Sequence, residues 1–505
     1  MASPKQLWPY STGKAEIVAR RVILAIDEGT TNSKAVLVDQ SGTILASESA
    51  PVAIEHPRSG WVQQDATTIW RATQAAISAC LSMQPDAEIA VIGISNQRES
   101  ILAWNRETGA PLGPVINWQC RRTSAACEKL RQNGHEQDVI SKTGLPLDPL
   151  FPATKAKWLL DRINGTDPET ICIGTVDSWL IWKLSGGKIH ATDRSNAART
   201  QLFDLARAEW DTDLAALFGV STIHLPQVYD SAHVFGHTLG VDVLPDGIPI
   251  ASAIGDSHAA LFGHGATGNG DGKITFGTGS SMMTTVPDFE IPPVGITTTI
   301  AWSLGGRSTF AFEGNILTSA SIFPWTAELL GLPDVYALMR LAQDVEDSGG
   351  VSLVPAHVGL GSPYWASDAR GLIAGLSFGT KPAHIARAAA DSLAHQVADI
   401  YDVMDAAGQG IGALYVDGGP SSNGTLMQRV ADFLDHAISP CRNTETSALG
   451  AAYLAGLATG FWPDLDTVSR LTTHEPAIHP NLDRESRNRT RRAWRTAIER
   501  TILDV

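Results

Sequence analysis

Twice in this chain an apolar strand runs straight into a turn of glycine and short hydroxyl residues, then returns as a second strand. The first copy is VILAIDEGTTNSKAVLV, from Val22 to Val38, and the second is KITFGTGSSMMTTV, from Lys273 to Val286. Glycine lets a backbone approach a ligand closely, and the N–H groups and hydroxyls of such a turn can face a polyphosphate. Asp27, at the end of the first strand, is placed to hold the Mg2+ that neutralises phosphate charge. Taken singly, each copy reads equally well as an ordinary hairpin. Two copies imply two related halves that close on one nucleotide.

At 505 residues the chain is longer than one hydrophobic core usually serves, so two domains are expected. A net charge of −15 argues against nucleic acid or an anionic membrane as the main partner, since both need clustered Lys and Arg. The five cysteines (Cys80, Cys120, Cys127, Cys172, Cys441) are scattered, with no CxxC and no Cys/His pairing. That pattern points to a reduced, cytoplasmic protein without structural zinc. The first residues lack a signal-peptide core, and no run of about 18 apolar residues marks a membrane span.

Residues 1–20 read as a loose arm. Strands are expected at 22–27, 34–39 and 43–49, a helix at 67–81, and a buried strand at 89–97 closing on Gln97, Arg98 and Glu99. Helices near 120–132, 154–162 and 177–184 follow, then a strand, glycine turn and helix start over 248–263. The second half repeats the scheme, with strands at 273–276, 297–303 and 308–313 and helices over 315–330 and 334–344. An Ala-rich helix over 382–406, a strand in ALYVDGG (413–419) and a helix from 423 complete it. A first domain over 21–262 and a second over 263–505 result. In the basic tail, Trp494, Ala497, Ile498 and Ile502 share one helical face, which predicts a terminal helix packed on the second domain rather than on a membrane.

Local sequence leaves several roles open. Asp256, after Gly255, can be a catalytic base or an N-cap. Arg98 and Glu99 can be a ligand clamp or a solvated surface pair, and Trp118 a binding wall or a core residue.

Nine segments in one order resolve these choices. They are IDEGTTNSKAV, GISNQRES, NWQCRRT, TGLPLDPLFPATKAKWLLD, GTVDSWLIWKL, IGDSHAALFG, TFGTGS, GLGSPYWASDARGLIAGL and VDGGPSSNGTLMQ, spanning about residues 22–460. The chain resembles the FGGY family of carbohydrate kinases and, within it, is most similar to the glycerol kinases. The resemblance implies two RNase H-like α/β domains of the actin/hexokinase type, with ATP, Mg2+ and a small polyol or sugar in the cleft between them. It makes Asp256 the catalytic base, Arg98 and Glu99 the polyol clamp, and Trp118 the wall behind the carbon chain. Asp27 is the Mg2+ residue. Thr30, Thr31, Asn32 and Lys34 form the first phosphate loop, with Lys34 where the compared kinase has Arg. Gly277, Thr278 and Gly279 form the second loop, and Gly418, Gly419 and Asn423 hold adenosine. A cytoplasmic homodimer is the implied assembly.

The departures bear on the substrate. Glycerol kinases carry Tyr, Gln and Phe where this chain has Leu150, Ser257 and Ser281. Losing those groups widens the pocket and leaves a glycerol hydroxyl unpaired, at a cost of roughly 1–3 kcal/mol per missing partner. Ala320 and Pro324 replace Gly and Gln beside the adenine site. Glycerol is the single expected substrate on resemblance, and a four- or five-carbon polyol or ketose of the erythritol or xylulose type is the alternative. A non-catalytic nucleotide switch is the third reading, disfavoured by the retained clamp.

Overall fold

The computed structural model describes residues 20–407 and 410–503. Except for Arg20, the expected N-terminal arm lies outside the described residues. Val22–Ile26 is apolar without a break, and a strand apolar on both faces must be covered on both. It forms the fully buried centre of β1 (Arg20–Glu28) in a six-stranded mixed sheet. On one side β1 pairs antiparallel with β2 (Asn32–Asp39), and β2 with β3 (Ile44–Pro51). On the other lie parallel β4 (Ala87–Asn96) and β5 (Pro249–Gly255), closed by the antiparallel edge strand Ala232–His237. Helix α1 (Ala66–Ser82) packs against β2 and β3 and is capped by Asp65, whose carboxylate accepts the Thr68 N–H at 2.7 Å. Helix α2 (Asp256–Gly263) leaves β5 directly.

Between β4 and β5 the chain adds several helices, among them Ser124–Gln132 and Pro152–Leu160, and three strands of a small four-stranded sheet whose fourth, Gln63–Gln64, precedes α1. A helix at Glu136–Thr143 was not anticipated.

The second domain repeats the first sheet's plan. The hairpin of β6 (Gly272–Phe276) and β7 (Ser280–Val286) stands where β1 and β2 stand. Strands β8 (Thr297–Leu304) and β9 (Arg307–Ile316) extend it on the β7 side. Helices α3 (Ile322–Leu329) and α4 (Pro382–Ala406) follow. Parallel β10 (Leu414–Gly418) then pairs with β6 and, after α5 (Gly424–Leu434), the short β11 (Ser439–Pro440) pairs with β10. Helices α6 (Thr446–Thr459) and α7 (Arg484–Leu503) end the described chain.

The helix expected over 315–330 begins only at Ile322. Asn315 and Ile316 instead extend β9, where they pair with Ser281 and Ser280, so ladder hydrogen bonds override the local helical pattern. The terminal helix packs as expected: Trp494 is buried, and its indole N–H donates to Asp399 on α4 at 2.7 Å.

Helices α2 and α6 lie between the two sheets, in a core that joins Ile23, Val36 and Ile254 of the first to Met283, Ala301 and Ala311 of the second. They touch through backbone. A Cβ on Gly450 would stand 1.9 Å from the Ala259 carbonyl oxygen, and one on Gly263 2.1 Å from that of Thr446. No helix among the described residues is long and apolar enough to cross a membrane.

Candidate active site

Strands β4 and β5 end side by side, with Gly255 opposite Asn96. The residues that follow them therefore share one end of the sheet, where α/β proteins gather ligands. Gly255, not Asp256, is the N-cap of α2; Asp256 is its first helical residue. The Asp256 carboxylate accepts the Ser257 N–H at 2.6 Å and Arg98 Nε–H at 3.1 Å, and its side chain is 37% exposed. Burial of the carboxylate raises its pKa, against the lowering pull of Arg98.

Glu99 is buried at φ 59°, a left-handed conformation that few non-glycine residues adopt. Such strain persists only where the surroundings enforce it. Here the Glu99 carboxylate accepts Arg199 Nε–H at 2.6 Å. Glu313, fully buried on β9 of the other sheet, lies 2.8 Å from Arg98 Nη1 and 2.9 Å from Arg199 Nη1. Burial pushes the Glu313 carboxyl up, but Arg199 and Arg98 together outweigh it and hold it at about 2. Glu99–Arg199–Glu313–Arg98–Asp256 is thus one continuous chain of charges spanning both domains.

Sequence reasoning missed Arg199 and Glu313. The available signal was Glu313 itself, a charge in the middle of the strand RSTFAFEGNI, whose last residues are otherwise buried or small.

The first loop turns at Gly29, whose N–H donates to the Asn32 carbonyl at 2.9 Å. Thr30 Oγ1 accepts the Trp118 indole N–H at 2.9 Å, joining Trp118 to this loop. Thr31 and Asn32 are exposed. Asp27 accepts Ser95 Oγ–H at 2.9 Å. Burial, with Asp256 and Glu445 nearby, pushes Asp27 up to about 6 despite that hydrogen bond. A carboxylate crowded by carboxylates suits an oxygen-seeking divalent cation, so this donor set fits Mg2+. Lys34 is engaged elsewhere, with its Nζ 2.5 Å from Glu445, the N-cap of α6.

In the second loop, a Cβ on Gly279 would meet the Ile316 carbonyl oxygen at 2.5 Å. Ser319 and Ala320 N–H groups donate to the carbonyls of Thr278 and Gly277 at 2.9 and 3.0 Å. Gly418 pairs with Phe276 and has φ 89°, so the second loop, Ala320 and the Gly418–Gly419 turn come together. Pro324 is exposed on the first turn of α3, and Asn423 caps α5 by accepting the Leu426 N–H at 3.0 Å.

Of the three departures, Ser257 follows Asp256 directly. Ser281 pairs with Asn315, two residues from the Met283–Glu313 pair, so it faces the same side as Glu313. Its Oγ lies 3.5 Å from the buried Lys273 amine. Leu150 is fixed by its backbone. The buried Lys155 amine donates to the carbonyls of Leu150, Asn117 and Trp118 at 2.7, 3.1 and 3.3 Å. Leu150 and Trp118 are therefore held by one group.

Residues 22–263 match the N-terminal domain, and residues 272–459 the C-terminal domain, of the FGGY family of carbohydrate kinases. The chain belongs to that family. It is 45% identical over 489 residues to an apulose kinase of Pectobacterium atrosepticum, covering 95% of this chain and 98% of that protein. It is 42% identical over 491 residues to a glycerol kinase of Rhodopirellula baltica, covering 95% and 91% respectively. The crystal structure of Plasmodium falciparum glycerol kinase with ADP superposes with a TM-score of 0.90 at 30% identity, covering 96% of this chain and 98% of that one. The protein is a sugar or polyol kinase of an ATP-using family, with the actin/hexokinase-type fold.

Proposed function

We propose that this kinase transfers the γ-phosphoryl group of ATP to a hydroxyl of a four- or five-carbon polyol or ketose, with apulose the first candidate and glycerol a poorer substrate. The observation that carries this reading is the presence of Leu150, Ser257 and Ser281 where glycerol kinases carry Tyr, Gln and Phe, beside the retained Arg98, Glu99, Trp118 and Asp256. Those side chains vacate volume and offer two hydroxyls to a longer substrate. The 45%-identical apulose kinase supports the same direction. A second reading, glycerol itself, is favoured by full-length glycerol kinases at 40–42% identity.

In this reading Arg98 donates to, and Glu99 accepts from, neighbouring substrate hydroxyls, while Trp118 packs along the carbons. Asp256 takes the proton of the attacking hydroxyl; its raised pKa suits a base that must hold a proton transiently. Thr30, Thr31, Asn32 and Gly277–Gly279 cradle the phosphates, with Lys34 available once it leaves Glu445. Gly418, Gly419, Asn423, Ala320 and Pro324 border the adenosine. Mg2+ held at Asp27 supplies charge neutralisation of the phosphates.

The test is ATP consumption across glycerol, erythritol, xylulose and apulose. At least one of the longer compounds should match or exceed glycerol in kcat/KM. Glycerol ahead of all of them by tenfold would overturn the reading in favour of the second.

Arg98→Ala should raise KM for the preferred substrate about tenfold or more, since each lost hydroxyl contact is worth about 1–3 kcal/mol. It should also lower the melting temperature, because Glu313 keeps only one of its two arginines. An unchanged KM removes Arg98 from the clamp.

A further inference from the structure

Where α2 ends, three side chains from distant parts of the second domain converge behind the cleft. His264 is the C-cap of α2, Cys441 follows β11, and His474 faces Cys441 across an isolated antiparallel bridge. One donor atom from each lies within 4.8 Å of the others. His264 Nε2 is 2.9 Å from Asp417 Oδ2, which leaves Nδ1 as its free nitrogen. That atom and His474 Nε2 are both buried and lack a well-formed hydrogen bond; the nearest partner of His264 besides Asp417 is the Cys441 thiol, whose own S–H reaches only the Thr473 carbonyl, at 3.9 Å. His264 is 1% exposed, and under-satisfied buried nitrogens beside a thiol need an explanation.

We infer that His264 Nδ1, Cys441 Sγ and His474 Nε2 form a binding site for a borderline-soft divalent metal of the Zn2+ class. Two imidazoles and a thiolate select zinc-like ions over Mg2+, which prefers oxygen. The Asp417 carboxylate behind His264 is the outer partner that fixes ring orientation and tautomer in such sites. The His264 and His474 rings stack with Tyr415, which limits their rotation. Tetrahedral donors sit about 3.5 Å apart, so a modest inward turn of these side chains completes three positions and leaves a fourth for water. Binding converts the thiol to thiolate and releases its proton to solvent.

Sequence spacing gave no Cys/His pairing because the three ligands are far apart along the chain and only the fold joins them. Bound metal would tie the end of α2, the helix that begins with Asp256, to β10 and β11 beside Gly418. The site is thus structural or regulatory, and it is separate from the Mg2+ residue Asp27.

The full-length protein, stripped with chelator, is titrated with Co2+ alone. About one equivalent per chain should bind and give the near-ultraviolet thiolate-to-cobalt absorption that oxygen ligands do not produce. Cys441→Ser should abolish that absorption, and His474→Ala should weaken Zn2+ binding at least tenfold in competition with a chromophoric chelator. Both variants are checked by circular dichroism; His474 is only partly buried, so its removal should leave the fold intact although it takes one stacking partner from His264 and Tyr415. Excess Mg2+ should not displace the cobalt. A wild type without the thiolate band, or a Cys441→Ser variant that binds Co2+ as tightly as wild type, overturns the site.

Discussion

Asp256→Asn should lower kcat by about 10²–10⁴-fold, the range expected when a general base is removed. Nucleotide affinity should stay within a few-fold. Asn keeps the volume of Asp and an oxygen to accept the Ser257 N–H, so α2 should start where it does now. What disappears is the group proposed to take the hydroxyl proton, and with it the negative partner of Arg98 Nε. Arg98 retains Glu313, so the loss should fall on chemistry more than on folding. Single-turnover kinetics with saturating ATP and substrate provide the measurement. Activity within tenfold of wild type would remove Asp256 from proton transfer and leave it as a positioning partner of Arg98.

Restoring Leu150→Tyr, Ser257→Gln and Ser281→Phe together should shift preference toward glycerol by one to three orders of magnitude, at roughly 1–3 kcal/mol per hydrogen-bond mismatch and allowing for non-additivity among neighbours. The three positions belong to different elements. Ser257 lies on α2, Ser281 on β7, and Leu150 in the loop held by Lys155, so each can change without displacing the others' backbone. The readout is the ratio of kcat/KM for glycerol to that for the best four- or five-carbon compound, in the variant and in wild type. A ratio unmoved by the triple change would mean that these residues do not meet the substrate's far end.

What could be read from the chain follows how local each signal is. The two hairpins were legible because glycine, hydroxyls and an abrupt end to an apolar run lie within a few residues of each other. Helix α4 was placed at both ends, since Pro382 can open a helix and an Ala-rich run sustains it. The start of α3 was misplaced because β9 claims Asn315 and Ile316 through partners on β7. Local sequence left Asp256 open between cap and base; the family resemblance favoured the base, and the structure gives the cap position to Gly255. The Glu313 bridge, the Lys34–Glu445 pair and the His264–Cys441–His474 cluster left almost no trace in sequence. Each joins residues hundreds of positions apart or from different domains, and burial alone tells their charges from solvated ones.

The contact of α2 with α6 has a mechanical consequence. Helices usually interlock through side-chain ridges seated in grooves, and rotating one against the other means lifting ridges over each other. At Gly263 and Gly450 there are no ridges to lift; bare backbone rides on backbone. The crossing behaves as a smooth bearing on the line between the two sheets. Resistance to pivoting then lies in the apolar core around it and in ionic and polar latches between the domains: Glu313 with Arg98 and Arg199, Lys34 with Glu445, and the Ser231 N–H with Ser303 Oγ at 2.9 Å. A phosphate that draws Lys34 away from Glu445 would release one of those latches while occupying the first loop.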